Sequence, residues 1–171
     1  MKPTLYLFVG LPGSGKTTVA NYICEARGAV HIWADRERQR MFGNPTHTPQ
    51  ESVELYEYLN GKTRTFLEEG KSVVFDTNFN YLKDRDYLRS IAQDTGAETV
   101  IIRMTTPEEL ARRRALHGDH AERNGMDEIM TAATFDRIRD HLEPLRSDEK
   151  VINLDGSAIT KEEVMASLQD V

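Results

Sequence analysis

Residues 10 to 17 read Gly10-Leu11-Pro12-Gly13-Ser14-Gly15-Lys16-Thr17, a glycine-rich turn closing on a lysine and a hydroxyl. An apolar run, Leu5–Val9, stands before it, and a stretch of helical period, Lys16–Arg27, follows. Strand, tight glycine turn and helix in that succession open a βαβ unit, which commits the chain to a sheet with helices packed on it. Every fixed position of G-x-x-x-x-G-K-S/T is satisfied. In such a loop the backbone N–H groups converge on phosphate, and the following helix adds its positive N-terminal end. The Lys16 ammonium is placed to reach β- and γ-phosphates and the Thr17 hydroxyl to ligate Mg²⁺. The expectation is a nucleoside-triphosphate site contacted by Gly10, Leu11, Pro12, Gly13, Ser14, Gly15, Lys16, Thr17 and Thr18.

The rest of the chain continues the alternation. Strands are predicted at Ala29–Trp33, Ser72–Asp76, Thr99–Met104 and Val151–Leu154; a parallel sheet buried on both faces calls for continuous apolar runs, which Leu5–Val9 and Val73–Phe75 satisfy best. Helices are predicted at Arg36–Phe42, Pro49–Glu69, Tyr81–Asp94, Pro107–Leu116, Asp127–Leu142 and Thr160–Asp170. Gly28, Gly70 and Gly96 follow helical runs, where a left-handed cap favours glycine. Thr48-Pro49 and Thr106-Pro107 each read as a Thr N-cap with Pro at the first helical position, the second with Glu109 completing a capping box. A polar loop is predicted from His117 to Gly125. With 171 residues and no repeat or linker, one domain spanning residues 1–171 is expected.

Composition narrows the function classes. A formal net charge of -6 argues against broad affinity for duplex nucleic acid, which needs an excess of Lys and Arg. Cys24 has no second cysteine to pair with, which fits a reducing cytoplasm. The run Leu5–Val9 leads into Gly10 rather than a cleavage site, and no apolar stretch approaches the roughly 18 residues needed to span a bilayer. A cytoplasmic protein is expected. The histidines show no H-x-x-x-H pair, so a structural zinc site is not expected.

Two downstream segments extend the first motif. Asp35-Arg36-Glu37-Arg38-Gln39 follows the second predicted strand, and Asp76-Thr77-Asn78-Phe79-Asn80 ends the third. With Phe8–Ala20, they resemble small P-loop kinases, and especially the kinase domain of bacteriophage polynucleotide kinase, in its D-x-x-R-Q and D-T-N-x-N motifs. The resemblance implies a three-layer α/β P-loop NTPase fold: a five-stranded parallel sheet of order 2-3-1-4-5 and a helical lid at about residues 107–126. It implies an ATP- and Mg²⁺-dependent kinase acting on a hydroxyl acceptor, either a small molecule or a nucleic-acid 5′-hydroxyl.

A hydroxyl acceptor needs a carboxylate to take its proton and cations to neutralise the transferring group. Asp35 lies just past a strand, at the carboxyl edge of the sheet where ligands of such folds gather. By resemblance Asp35 is the general base, Arg38 an acceptor-binding and catalytic residue, and Thr77 and Asn78 acceptor-positioning groups. Asp76 would join Thr17 at the metal. Local readings compete: Asp35 as the N-cap of Arg36–Phe42, Arg38 as a solvated charge, and Asp76-Thr77-Asn78 as a self-capped turn. In the lid, Arg113 matches the first of the family's two arginines spaced four apart, while His117 occupies the second position; Arg114 or Arg123 then stands as the substitute. Some of Arg112, Arg113 and Arg114 could equally complement the helix dipole. Asp155-Gly156 follows the last strand, where the nucleotide base is expected. The absence of N-K-x-D favours ATP over GTP. Tyr56 and Tyr58 are expected to pack helix Pro49–Glu69. A nucleotide-responsive binding protein with no acceptor is the alternative from another class.

Overall fold

The computed structural model describes residues 2–117 and 130–169. Its elements run β1 (Thr4–Val9), α1 (Lys16–Arg27), β2 (Val30–Trp33), α2 (Ala34–Phe42), α3 (Pro49–Glu68), β3 (Val73–Asp76), α4 (Leu82–Asp94), β4 (Glu98–Met104), α5 (Glu108–His117), α6 (Ala132–Asp140), β5 (Val151–Leu154) and α7 (Lys161–Ser167). The strands form a five-stranded sheet ordered β2-β3-β1-β4-β5, with every pairing parallel. The expected order is therefore correct.

Strand alternation sorts the core into two layers. Leu5, Leu7, Val9 and Ile101 pack with Leu55 and Leu59 of α3 and Leu88 and Ile91 of α4. The opposite face sets Tyr6, Phe8, Val100 and Ile102 against Val19 and Ile23 of α1 and Val164 of α7. Because both faces are covered, β1 is buried along its whole length, as its unbroken apolar sequence requires. The carboxyl ends of β1, β2 and β3 consequently open on one edge, with the loops that follow them.

Most predicted boundaries agree within two residues. Gly28 caps α1 in the left-handed region, and the Thr48 side chain accepts from the Glu51 amide as the N-cap of α3. Three local expectations differ. Helix α2 begins at Ala34, so Asp35 occupies its first turn and Trp33 is the N-cap. Thr106 does not cap α5: its hydroxyl donates to the Ser14 carbonyl at 2.8 Å and accepts from the Gly156 amide at 2.9 Å. A longer-range bonding opportunity has displaced the local one. A capping box does exist at Thr160 and Glu163, opening α7. Of the helix predicted at Asp127–Leu142, the described part is α6. The expected polar loop lies outside the described residues from residue 118 on, and Arg123 with it. No helix among the described residues is long and apolar enough to cross a membrane.

Candidate functional site

The phosphate loop joins β1 to α1 and is held in shape from three sides. Asn80 grips its entry: the Asn80 Oδ1 accepts from the Gly10 amide at 3.1 Å, and its Nδ2 donates to the Gly10 carbonyl at 3.3 Å. Thr106 ties the Ser14 carbonyl to the loop after β5. Above the loop, α5 packs so closely that a Cβ on Gly13 would lie 2.2 Å from the Ala111 carbonyl oxygen, and Gly13 has φ 77. Glycine is therefore required there by both space and conformation. Within the loop, the Lys16 ammonium donates to the Leu11 carbonyl at 2.6 Å.

A cleft of about 620 Å³ opens against this loop. Pro12, Gly13, Gly15, Lys16, Thr17 and Thr18 line one end, and Asp35, Asp76, Thr77, Asn78 and Trp33 contribute another wall. Arg114, Met130 and the segment from Gly156 to Ile159 complete it. Residues from three separate motifs thus share one volume. Their common address follows from the topology, since β1, β2 and β3 are neighbours and each ends beside the cleft.

The carboxylates of this wall have distinct settings. Asp76 ends β3, is buried, and has its Oδ2 3.2 Å from His31 Nε2 on the neighbouring strand. Asp35 projects from the first turn of α2, where a helix favours negative charge. Tyr56 shares a 2.9 Å hydrogen bond with Thr77 Oγ1. Burial raises the Tyr56 hydroxyl pKa, and Asp35 and Asp84 add to the rise against the pull of Thr77 and Arg38, so the phenol stays neutral. The Asn78 Oδ1 is buried without a hydrogen-bond partner among the described residues. Burial, helped by Asp76, pushes the Cys24 thiol up to about 11, which makes it a poor nucleophile.

The candidate cations separate into different environments. Arg38 does not line the cleft; at 8% exposure it is no solvated charge either. One arm of its guanidinium donates to Glu51 at 2.7 Å and the other to Ser52 at 3.2 Å. Arg113 is exposed and outside the cleft lining, as is His117. Arg114 does line it, donating to the Gly156 and Ser157 carbonyls at 2.8 and 2.7 Å. Arg112 instead pairs with Asp136 and lies over the Phe135 ring, joining α5 to α6.

Local sequence does not disclose the roles of Asn80, Thr106 and Tyr56: Asn80 is the last position of D-T-N-x-N, but Thr106 carries a capping signal and Tyr56 a helix-packing one.

Thr17 and Asp76 supply hydroxyl and carboxylate oxygen to the same cleft, a donor set that suits a hard cation such as Mg²⁺ with phosphate oxygens completing its shell.

A profile of the AAA domain matches residues 5–145. Comparison with proteins of curated function returns no match. Among solved structures, one from Chloroflexus aurantiacus is similar with a TM-score of 0.78 and 17% identity, covering 99% of this chain and 98% of that one. The APS kinase of Mycobacterium tuberculosis, in complex with AMPPNP and APS, is similar with a TM-score of 0.62 and 17% identity over 98% of each chain. A chain of an RNA repair complex shares a TM-score of 0.69 and 20% identity, over 82% of this chain and 44% of its own length. At these identities the likeness is one of fold.

Proposed function

The chain belongs to the AAA domain family, and from that premise we propose that it is an ATP-dependent phosphotransferase acting on a hydroxyl group. The observation that carries this reading is the shared cleft: Lys16 and Thr17 of the phosphate loop face the same 620 Å³ volume as Asp35 and Asp76. A hydrolase needs only a polyphosphate site and a place for water. A second wall carrying a carboxylate, a threonine hydroxyl and an amide gives room and recognition for another substrate. The AMPPNP held by the APS kinase of like fold supports a nucleotide in the loop.

In this reading Gly10 through Thr18 hold the triphosphate and Lys16 neutralises charge on the transferring group. Asp35 takes the acceptor's hydroxyl proton while the acceptor oxygen bonds to the γ-phosphorus. The bond from that phosphorus to the β,γ-bridging oxygen breaks, and ADP leaves. Mg²⁺ bound by Thr17 and Asp76 would offset phosphate charge. Thr77 and Asn78 position the acceptor, with Tyr56 orienting Thr77. Of the described lid arginines, Arg114 lines the cleft and stabilises the bound phosphates; Arg113 would serve only on movement of α5. For Arg38 to touch an acceptor, it would have to leave Glu51. Of the lid expected at about residues 107–126, the described part, residues 107–117, would cover the phosphate loop of a single domain that works in the cytoplasm.

Calorimetry with AMPPNP and Mg²⁺ tests the loop, and γ-labelled ATP tests transfer. Lys16→Ala should lower transfer by about 10²-fold or more, as loss of one preorganised charge at the reacting centre does. Label released solely as free phosphate, whatever hydroxyl compound is supplied, would instead favour a regulatory ATPase.

A further inference from the structure

On the sheet face covered by α1, the strands present Tyr6, Phe8, Val74, Val100 and Ile102. The edge strand β2 adds His31 and Trp33 to that face, His31 opposite Val74 in register and Trp33 opposite Asp76. A β-branched or aromatic residue is the usual occupant of such a strand position. What the histidine touches explains its presence. Its Nε2 lies 3.2 Å from Asp76 Oδ2, and its ring stacks on Trp33, with centroids 6.1 Å apart and planes 4° from parallel.

Asp76 is only 4% exposed, and a carboxylate so placed needs a donor to offset its lost hydration. Because a carboxylate can only accept, His31 Nε2 carries the proton and donates it. That bond holds Oδ2 and with it the plane of the carboxylate. The Asp76 charge adds to the rise of the Cys24 thiol on α1, so the side chain faces the helix that opens with Lys16 and Thr17. Asp76 lines the cleft together with Thr17, whereas His31 stands behind the lining. Whatever His31 does for the cleft passes through the residues it touches.

We propose that His31 is a positioning residue for the Mg²⁺ site: by donating to Asp76 Oδ2 it holds the carboxylate in the orientation that serves a cation shared with Thr17. The inference rests on the assignment of Thr17 and Asp76 to the metal in the phosphotransfer reading. The Trp33 ring in turn keeps the imidazole in the plane that makes this bond. Groups behind a metal ligand fix its direction, and their loss lowers metal affinity by about 10–100-fold. A histidine that merely satisfied a buried carboxylate would behave differently. Its loss would lower stability and weaken nucleotide binding alike with and without Mg²⁺.

Calorimetry with AMPPNP, once in Mg²⁺ and once in EDTA, isolates the metal's share of binding. His31→Phe keeps a flat ring against Trp33 but offers no donor, and His31→Gln keeps an amide donor without the ring. In His31→Phe the affinity in EDTA should match the wild type, while the gain conferred by Mg²⁺ falls by about tenfold, the lower end of the range for such groups. His31→Gln should restore most of that gain. Equal loss in both conditions would mean a purely structural role and overturn the inference. So would a His31→Gln variant no better than His31→Phe, since the donor would then not matter. A wild-type gain in His31→Phe, with the gain lost in Asp76→Asn, would overturn it and leave the metal assignment standing. A gain unchanged in Asp76→Asn would remove the metal assignment and this inference together. Should His31→Phe fail to fold, NMR of wild-type protein carrying isotope-labelled histidine decides. Mg²⁺ added to the AMPPNP complex should shift the His31 ring signal, and an unmoved signal would overturn the inference.

Discussion

Asp35 is the residue on which the proposed chemistry turns. Its place in the first turn of α2 gives its charge the support of unpaired helix amides, and its place on the cleft wall gives it access to an acceptor. Asp35→Asn should reduce transfer by about 10²–10⁴-fold, the usual share of a general base, while calorimetry finds nucleotide affinity nearly unchanged. Glu51, held by Arg38, makes a different kind of prediction. Burial alone would raise its carboxyl, but Arg38, Thr46 and His47 together bring it down from 4.5 to about 2. A carboxyl with a depressed folded-state pKa binds its proton more readily in the unfolded chain. Its stabilisation is therefore complete above the ordinary carboxylate range and fades as pH falls towards 2. Thermal midpoints measured between pH 5 and pH 2 should drop more steeply for the wild type than for Glu51→Gln; parallel curves would contradict this account.

Elements meet at the phosphate loop through groups that no single element defines. Thr106, before α5, bonds to both Ser14 and Gly156, and so locks β1–α1 to β5–α7. Gly156 is the tightest point of that junction. A Cβ there would lie 2.1 Å from the Ser14 carbonyl oxygen and 2.9 Å from Thr106 Oγ1, and the first of these is backbone that cannot rotate away. Gly156→Ala should displace the phosphate loop, costing about 1–3 kcal/mol of stability as overpacked sites do. Calorimetry should also show weaker Mg²⁺–AMPPNP binding, because the loop is the ligand's cradle. A variant with wild-type affinity would mean that this junction does not set the loop's geometry. The Thr106-Pro107 pair shows why such a role escapes a local reading. Its capping signal is real chemistry, but a buried carbonyl and amide compete for the same hydroxyl.

The whole molecule is closed by a buried ion pair. Arg85 of α4 and Glu149, just before β5, are both fully buried, with Arg85 Nε donating to Glu149 Oε1 at 2.7 Å. Arg85 also donates to the Phe79 carbonyl at 3.0 Å and the Pro144 carbonyl at 2.9 Å, binding the loop after β3 to the segment leading into β5. Glu149→Gln would leave a buried guanidinium without its counter-charge. It should cost about 3–5 kcal/mol in chemical denaturation, far more than neutralising an exposed pair. Since Phe79 adjoins Asn80, the same variant should loosen the grip on Gly10. The alternation of strands and helices and the phosphate loop were legible in the chain itself, because each depends on residue types a few positions apart; the order of the five strands followed from the family resemblance. The partners of Asn80, Thr106, Arg38 and Arg85 were not legible there. Asn80 finds Gly10 across 70 positions, Thr106 finds Ser14 across 92, and Arg85 finds Glu149 across 64. Hydrogen-bonding capacity is written in each side chain, but which distant group satisfies it depends on what packing brings within 3 Å.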